Sequence, residues 1–288
     1  MKSIILYSSG VLSLLIVSSC NSLSDRSGVI DYKLFLAVDE KRPMVVALGG
    51  SEGGMVYAGK ETQGLRGSIL SRGYHFLAIG YFGTSNTPDV LDRISLDAIY
   101  DTISRVSQLP FVDQNQIALF GGSRGGELVL NIASRYPDIA AVMAIVPSHV
   151  TLPARFGWNE SSSWTFKGEE IPWVAASDEA RALIDAGDFY GGFSKIIENP
   201  QSESVTEAAI EVEKINAPIL FVSSSEDEVW PSTLMVNRMI ERLEEDHRSG
   251  GRFQYHYQHV ELEGGHAAFA KNYGVILDFL SEQLPVDK

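Results

Sequence analysis

Apolar residues in this chain come in two alternating patterns. Short, largely apolar runs occur at Pro43 to Leu48, Tyr74 to Ile79, Ile117 to Phe120, Ala140 to Val146 and Pro218 to Ser223. Runs of this kind predict strands whose two faces are both covered, as in a parallel sheet. Between them, apolar positions recur at helical spacing. Ile94, Leu96, Ile99, Ile103 and Val106 predict a helix over Leu91 to Leu109. Leu128, Val129, Ile132, Ala133 and Tyr136 predict a second, and further helices follow over Ser232 to Asp246 and Asn272 to Leu284. Ile30 to Val38 alternates loosely and reads as an entering strand, and Phe253 to Leu262, rich in Tyr and Val, as the last one. Strand, loop and helix in alternation predict one α/β domain over residues 30–288, a mostly parallel sheet with helices on both faces.

The rhythm breaks between Thr151 and about Asn216, so 151–216 is expected to be an insertion that caps the carboxyl edge of the sheet. Its aromatic residues include Trp158, Trp164, Phe166, Trp173, Phe189, Tyr190 and Phe193. Trp164 and Phe166, with Tyr81 and Phe82 after the Tyr74 strand, are candidates to line an apolar substrate pocket. The alternative is that they glue the insertion to the body or belong to the core.

The chemistry concentrates in Gln116 to Tyr136, where strand gives way to helix through Gly121-Gly122-Ser123-Arg124-Gly125. This fits G-x-S-x-G, the tight turn that lifts a serine above the carboxyl edge of a sheet, with a helix N-terminus behind it. A phosphate-cradling loop would need a lysine that is not there, and a dinucleotide fingerprint fails on spacing. A hydroxyl is a poor nucleophile, so Ser123 needs a neutral imidazole to take its proton. Of six histidines, His75 begins a strand, at the wrong end. His149 follows a strand but precedes any candidate acid, His247 sits in a charged stretch, and His256 and His259 lie within a strand and resemble no metal site. His266, after Glu263-Gly264-Gly265 and the last strand, is the candidate base. Asp227, just beyond a strand and four residues before Pro231, is the candidate acid, with Glu226 and Glu228 beside it as competitors. The order Ser, Asp, His is that of an α/β-hydrolase. Oxyanion donors are expected from the N–H of Arg124 and from Gly50 or Ser51 in the Gly49-Gly50-Ser51-Glu52-Gly53 loop. Glu127, in the first helical turn, is expected to cap the helix dipole.

Among 288 residues, 44% are hydrophobic and the net charge is −14, from 23 basic and 37 acidic side chains. That excess argues against nucleic acid and against a basic patch on anionic lipid. No metal and no cofactor are expected. Residues 1–19 read as an export signal, with Lys2 followed by an apolar segment too short and Ser-rich for a membrane span. Val17-Ser18-Ser19-Cys20 resembles a lipobox, and Cys20 is the single cysteine. A lipid on Cys20 would tether the domain through residues 20–29 to the bacterial cell envelope, the outer membrane being favoured. A plain secretory signal or an anchor helix is the alternative. Removal of Lys2 with the signal would take the side-chain charge from −14 to −15.

Roughly residues 43 to 285 resemble the catalytic C-terminal domain of acyl-CoA thioesterases and bile acid-CoA:amino acid N-acyltransferases. The motifs are ALGGSEGG, AIGYFGTSNTPDVLDRISLD, GGSRGGELVLNIASRYPDIAAVMAIVPS, SSWTFKGEEIP, SSSEDEVWPS and EGGHAAF. The resemblance implies Ser123, Asp227 and His266 as nucleophile, acid and base, and an acyl-enzyme passed to water or an amine. The acyltransferases use cysteine, so Ser123 favours hydrolysis, with thioesters the implied substrate. Two features depart from the longer animal members. Too few residues precede Pro43 for their β-sandwich domain, and a lipobox would separate the protein from cytosolic acyl-CoA. An envelope carboxylesterase or serine peptidase, and an inactive hydrolase fold kept as a scaffold lipoprotein, are the competing readings.

Overall fold

The computed structural model describes residues 28–154, 160–200, 202–251 and 256–286, together with the strand backbones of 4–8 and 11–15. Cys20, with its expected lipid and the signal cleavage, lies outside the described residues, as does Trp158.

In chain order the strands and helices are β1 (Ile4–Ser8), β2 (Val11–Leu15), β3 (Asp31–Phe35), β4 (Arg42–Leu48), α1 (Gln63–Ser71) and β5 (His75–Gly80). Next come β6 (Ile94–Ser95), α2 (Leu96–Ser107), β7 (Val112–Gly122), α3 (Arg124–Ala133) and β8 (Ala141–Ile145). The insertion holds β9 (Trp164–Phe166), β10 (Glu169–Glu170), α4 (Asp178–Asp185), α5 (Phe189–Ile196) and α6 (Glu203–Ala208). The chain then closes with β11 (Ile219–Ser224), α7 (Ser232–Arg248), β12 (Tyr257–Leu262) and α8 (Gly274–Gln283).

The main sheet runs β1-β2-β3-β5-β4-β7-β8-β11-β12. From β5 to β12 every pairing is parallel, and β3 joins β5 antiparallel. Strand β2 pairs with β3 through Ser13 and Leu14. Both β1 and β2 fall within residues 1–19, the expected export signal, so a chain lipidated at Cys20 would carry β3 as the edge of its sheet. The apolar runs have a direct cause in the layering. Met44, Val46, Leu48, Ile117, Leu119, Val142 and Ala144 face one buried cluster with α2, α3 and α7. Their neighbours Val45, Ala47, Ala118, Phe120, Ala141 and Met143 face a second with α1 and α8. Each strand therefore needs apolar side chains on both faces, and alternation disappears.

Two elements differ from the sequence reading. Helix α2 begins at Leu96 rather than Leu91, because Ile94 and Ser95 pair with Trp164 and Thr165 in a small sheet ordered β10-β9-β6. Ser95 then caps α2, its side chain accepting from Ala98 N–H at 3.1 Å. The insertion has more order than its sequence suggested. Val150, Leu152, Val174, Ala180, Ile184, Phe193 and Val205 form a third apolar cluster that closes on Trp230 and Met235 of the body.

Candidate active site

Partners in register cross the parallel strands in one row, Leu48, Gly121, Ala144, Phe221 and His259. Residues a few positions beyond this row leave the sheet at its carboxyl edge, where ligands of open α/β sheets bind. Ser123 leaves from β7, the Gly50-Ser51 loop from β4, Asp227 from β11 and His266 from β12.

Ser123 has φ 58° and ψ −123°, a conformation an L-residue adopts only under strain of about 1–3 kcal/mol. The neighbouring glycines permit it. A Cβ on Gly121 would lie 2.2 Å from the carbonyl oxygen of Gly125, and one on Gly125 would lie 2.4 Å from that of Leu48. The serine backbone is pinned by its N–H to Ile145 O at 2.9 Å, while its carbonyl accepts from Gly126 and Glu127 at the start of α3.

His266 Nδ1 lies 2.8 Å from Oδ1 and 3.0 Å from Oδ2 of Asp227. The same Oδ1 accepts from the N–H groups of Val229 and Trp230, at 3.0 and 3.2 Å, so the carboxylate is oriented from its own loop. A carboxylate on Nδ1 puts the ring proton there and leaves Nε2 as acceptor. Nε2 is buried and has no hydrogen-bond partner among the described residues, and His266 lines the same cavity as Ser123. Trp230 packs edge-on to the imidazole at 5.0 Å and donates its indole N–H to Val146 O at 3.1 Å. Of the three neighbouring acids, Asp227 reaches the ring. Glu228 instead accepts the backbone N–H of His266 at 2.8 Å, a contact the sequence reading missed.

On the opposite side, Gly50 N–H donates to Oε1 of Glu52 at 3.0 Å. That donor is committed to its own loop, and its neighbour Ser51 lines the cavity. The cavity measures about 390 Å³, and its apolar wall is built from Leu152, Pro153, Phe189, Phe193, Val229 and Trp230. The sequence-based pocket residues are corrected here, since none of the four lines this cavity. Tyr81, Phe82 and Trp164 are buried in the core, and Tyr81 donates to Gly49 O at 2.5 Å, supporting the oxyanion-side loop from behind. Phe166 is partly buried and packs against Tyr136, just past the end of α3. Aromatic residues near an edge in sequence had been drawn into the core by the chance to fill volume.

Glu127 is more than a helix-end charge. Its Oε2 pairs with Arg124 Nη1 at 2.8 Å, and its Oε1 accepts from Trp164 Nε1 at 2.6 Å and from Leu152 N–H at 3.3 Å. Arg124 also donates to Ser163 and to the carbonyls of Leu152 and Pro153. The pair thus ties the insertion to the turn that carries Ser123. Burial pushes the Glu127 carboxyl up to about 7 despite the opposing pull of Arg124.

Of the other described histidines, His247 and His256 are exposed, and His75 and His259 are held within the structure. His75 accepts the Ala37 N–H at Nδ1, 3.1 Å away, and His259 pairs with Ser223 at 2.9 Å. Among the described residues no group of three or more His, Cys, Asp or Glu could hold a metal ion.

Comparison with known proteins adds the lineage. The family model for the BAAT / acyl-CoA thioester hydrolase C-terminal domain matches residues 94–267, which include all three of Ser123, Asp227 and His266. The chain belongs to this family. Other members similar to it include human acyl-coenzyme A thioesterase 6, 28% identical over 221 residues, covering 76% of this chain and 48% of that protein. Rat acyl-coenzyme A thioesterase 1 is 25% identical over 223 residues with the same coverage. This BAAT-family chain therefore spans about half the length of the thioesterases it matches. Similar solved structures include an acetyl xylan esterase from Paenibacillus sp. R4, with TM-score 0.59, 15% identity, and 98% of this chain and 88% of that chain covered. The α/β hydrolase GrgF from Penicillium sp. sh18 gives TM-score 0.58 at 14% identity, covering 96% and 99%. These likenesses bear out the α/β-hydrolase fold expected from the sequence.

Proposed function

We propose that this chain is a serine acyl hydrolase acting on thioesters or esters through Ser123, His266 and Asp227. One observation carries the reading: a serine in strained backbone and an Asp-bound imidazole with a free Nε2 line the same cavity. In this mechanism Nε2 takes the Ser123 proton as Oγ attacks the acyl carbonyl, and Asp227 stabilises the resulting imidazolium. The oxyanion is held by the N–H of Arg124 and that of Ser51. Collapse expels the thiol or alcohol, protonated by His266, and leaves the acyl group on Ser123. Water, deprotonated by Nε2, then attacks the acyl-enzyme and releases the carboxylic acid. The apolar wall around Phe193 and Leu152 would receive the acyl chain. Relatives named acyl-coenzyme A thioesterases support a thioester as substrate. A scaffold with no chemistry would have no use for the strain stored at Ser123. The tether through a lipid on Cys20 in the cell envelope is retained as part of this proposal.

The test is covalent labelling with a fluorophosphonate, alongside thiol release from a butanoyl thioester. Wild type should label and release thiol, and Ser123→Ala should do neither. Labelling that persists in Ser123→Ala, or its absence from wild type, would count against the assignment.

A further inference from the structure

Leu152 and Pro153, at the start of the insertion, form part of the apolar wall of the cavity. They lie outside the strands and helices, and a buried ion pair ties them to α3. Arg124 Nη2 donates to their carbonyls at 3.1 and 3.3 Å, and the Leu152 N–H donates to Glu127 Oε1 at 3.3 Å. Leu152 is thus gripped at both its N–H and its C=O by two side chains of the helix that begins at the nucleophile turn. Glu127 is fully buried, as is Trp164, whose indole N–H meets the same Oε1 at 2.6 Å.

Every group that this carboxyl meets among the described residues is a donor: Trp164 Nε1, Leu152 N–H and, opposite Oε2, Arg124 Nη1. An ionised Glu127 satisfies all three, whereas a protonated one brings a further hydrogen with no acceptor to meet it. On Oε2 that hydrogen would oppose the guanidinium and slacken its hold on Leu152 and Pro153. Burial raises the carboxyl to about 7, against the pull of Arg124 and the bonds from Trp164 and Leu152. The titratable groups facing it are Arg124 and, beyond β5, Tyr81. Tyr81 is driven up by burial and Arg124 keeps its charge, so neither changes state between about pH 5.5 and about pH 8.5.

We propose that Glu127 is a positioning residue that sets acyl-chain selectivity, its carboxylate holding the Leu152–Pro153 wall against the chain of an acyl group bound at Ser123. This role rests on the hydrolase reading, for a chain reaches the wall only when its carbonyl meets Ser123. An acetyl group is too short to use the wall, and an octanoyl chain lies along it.

Acetyl-coenzyme A and octanoyl-coenzyme A share the leaving group and the reacting bond. The titration of His266 therefore enters both alike and cancels in the ratio of their kcat/KM values. In wild type the octanoyl-to-acetyl ratio should fall by about tenfold from about pH 8.5 to about pH 5.5, the worth of roughly two buried methylene groups. The change should lie in KM for the octanoyl ester, with its midpoint at about 7. Glu127→Gln keeps a carbonyl oxygen for Trp164 and Leu152 but sets an amide against Arg124, and should hold the ratio at its acid value throughout. Trp164→Phe removes a bond that lowers the carboxyl, and should move the midpoint to higher pH. A Glu127 that only stabilised the fold would leave the ratio independent of pH, and a flat wild-type ratio overturns the proposal. So does a pH dependence that survives in Glu127→Gln, or a midpoint that Trp164→Phe leaves in place. If Glu127→Gln does not fold, the wild-type profile and Trp164→Phe decide. No turnover of either thioester together with no labelling of Ser123 would instead bring down the hydrolase reading, and this proposal with it.

Discussion

His149 makes the junction between body and insertion sensitive to acid. It follows β8, is 5% exposed, and its carbonyl accepts from Ile210 N–H at the far end of the insertion. Its Nε2 accepts from Arg238 Nη1 at 3.2 Å, and the same guanidinium group donates to Ile197 O at 2.9 Å. With Nε2 accepting, Nδ1 carries the proton, and it is buried without a hydrogen-bond partner among the described residues. Protonation would therefore place a second cation against Arg238 and near Arg242. Burial first, then those two arginines, lower the imidazole from 6.5 to about 3. The folded value lies below the unfolded one, so the unfolded chain gains the proton first as pH falls. Stability from this group is intact above about pH 6.5 and drains away as pH falls toward 3. Between pH 8 and pH 5 the single-site linkage amounts to about 2 kcal/mol. The comparison is urea unfolding of wild type and His149→Gln at both pH values, since glutamine offers Arg238 an acceptor that does not titrate. Wild type should lose about 2 kcal/mol more than the variant on acidification. Equal losses, or an NMR titration of His149 near its ordinary value, would refute the reasoning.

Three further outcomes are expected. Asp227→Asn should lower kcat by about 10³–10⁴ while leaving urea unfolding close to wild type, because the ring loses its tautomer and the stabilisation of its cation rather than its seat; steady-state kinetics checks this. In Gly265→Ala the new Cβ would fall 2.4 Å from Glu228 Oε2, displacing the acceptor that holds the His266 N–H. A drop of about tenfold in kcat with little change in Tm is expected from misplacing the base. Arg124→Met leaves Glu127 buried without its cation and should cost about 3–5 kcal/mol at pH 8. That cost should shrink toward pH 5, where Glu127, already raised by burial, takes up a proton; urea unfolding at the two pH values measures it.

Much of the fold is written locally. Runs such as Met44 to Leu48 and Ile117 to Phe120 are apolar throughout because both faces of those strands are covered, so the pattern announces a parallel sheet. G-x-S-x-G between a strand and a helix announces the strained turn at Ser123, since its glycines are demanded by neighbours within a few residues or one strand away. The insertion was harder to read. Its helices α4, α5 and α6 are only 8, 8 and 6 residues long, too short to establish a period. Their caps at Ser177, Asp188 and Ser202 were the available signal.

By itself, then, the sequence determined the layer architecture, the turn that raises Ser123, and the chain order of candidate nucleophile, acid and base. Tertiary structure alone decided that Asp227, not Glu226 or Glu228, meets His266, and that Glu228 holds the histidine backbone instead. It likewise decided that Phe189, Phe193 and Trp230 wall the cavity while Tyr81 and Trp164 fill the core. The reason is physical: period and turn chemistry act over neighbouring residues and leave their mark in composition. Which side chains converge depends on strand order and on the paths of loops from four separate strands, and no local pattern records where those paths cross.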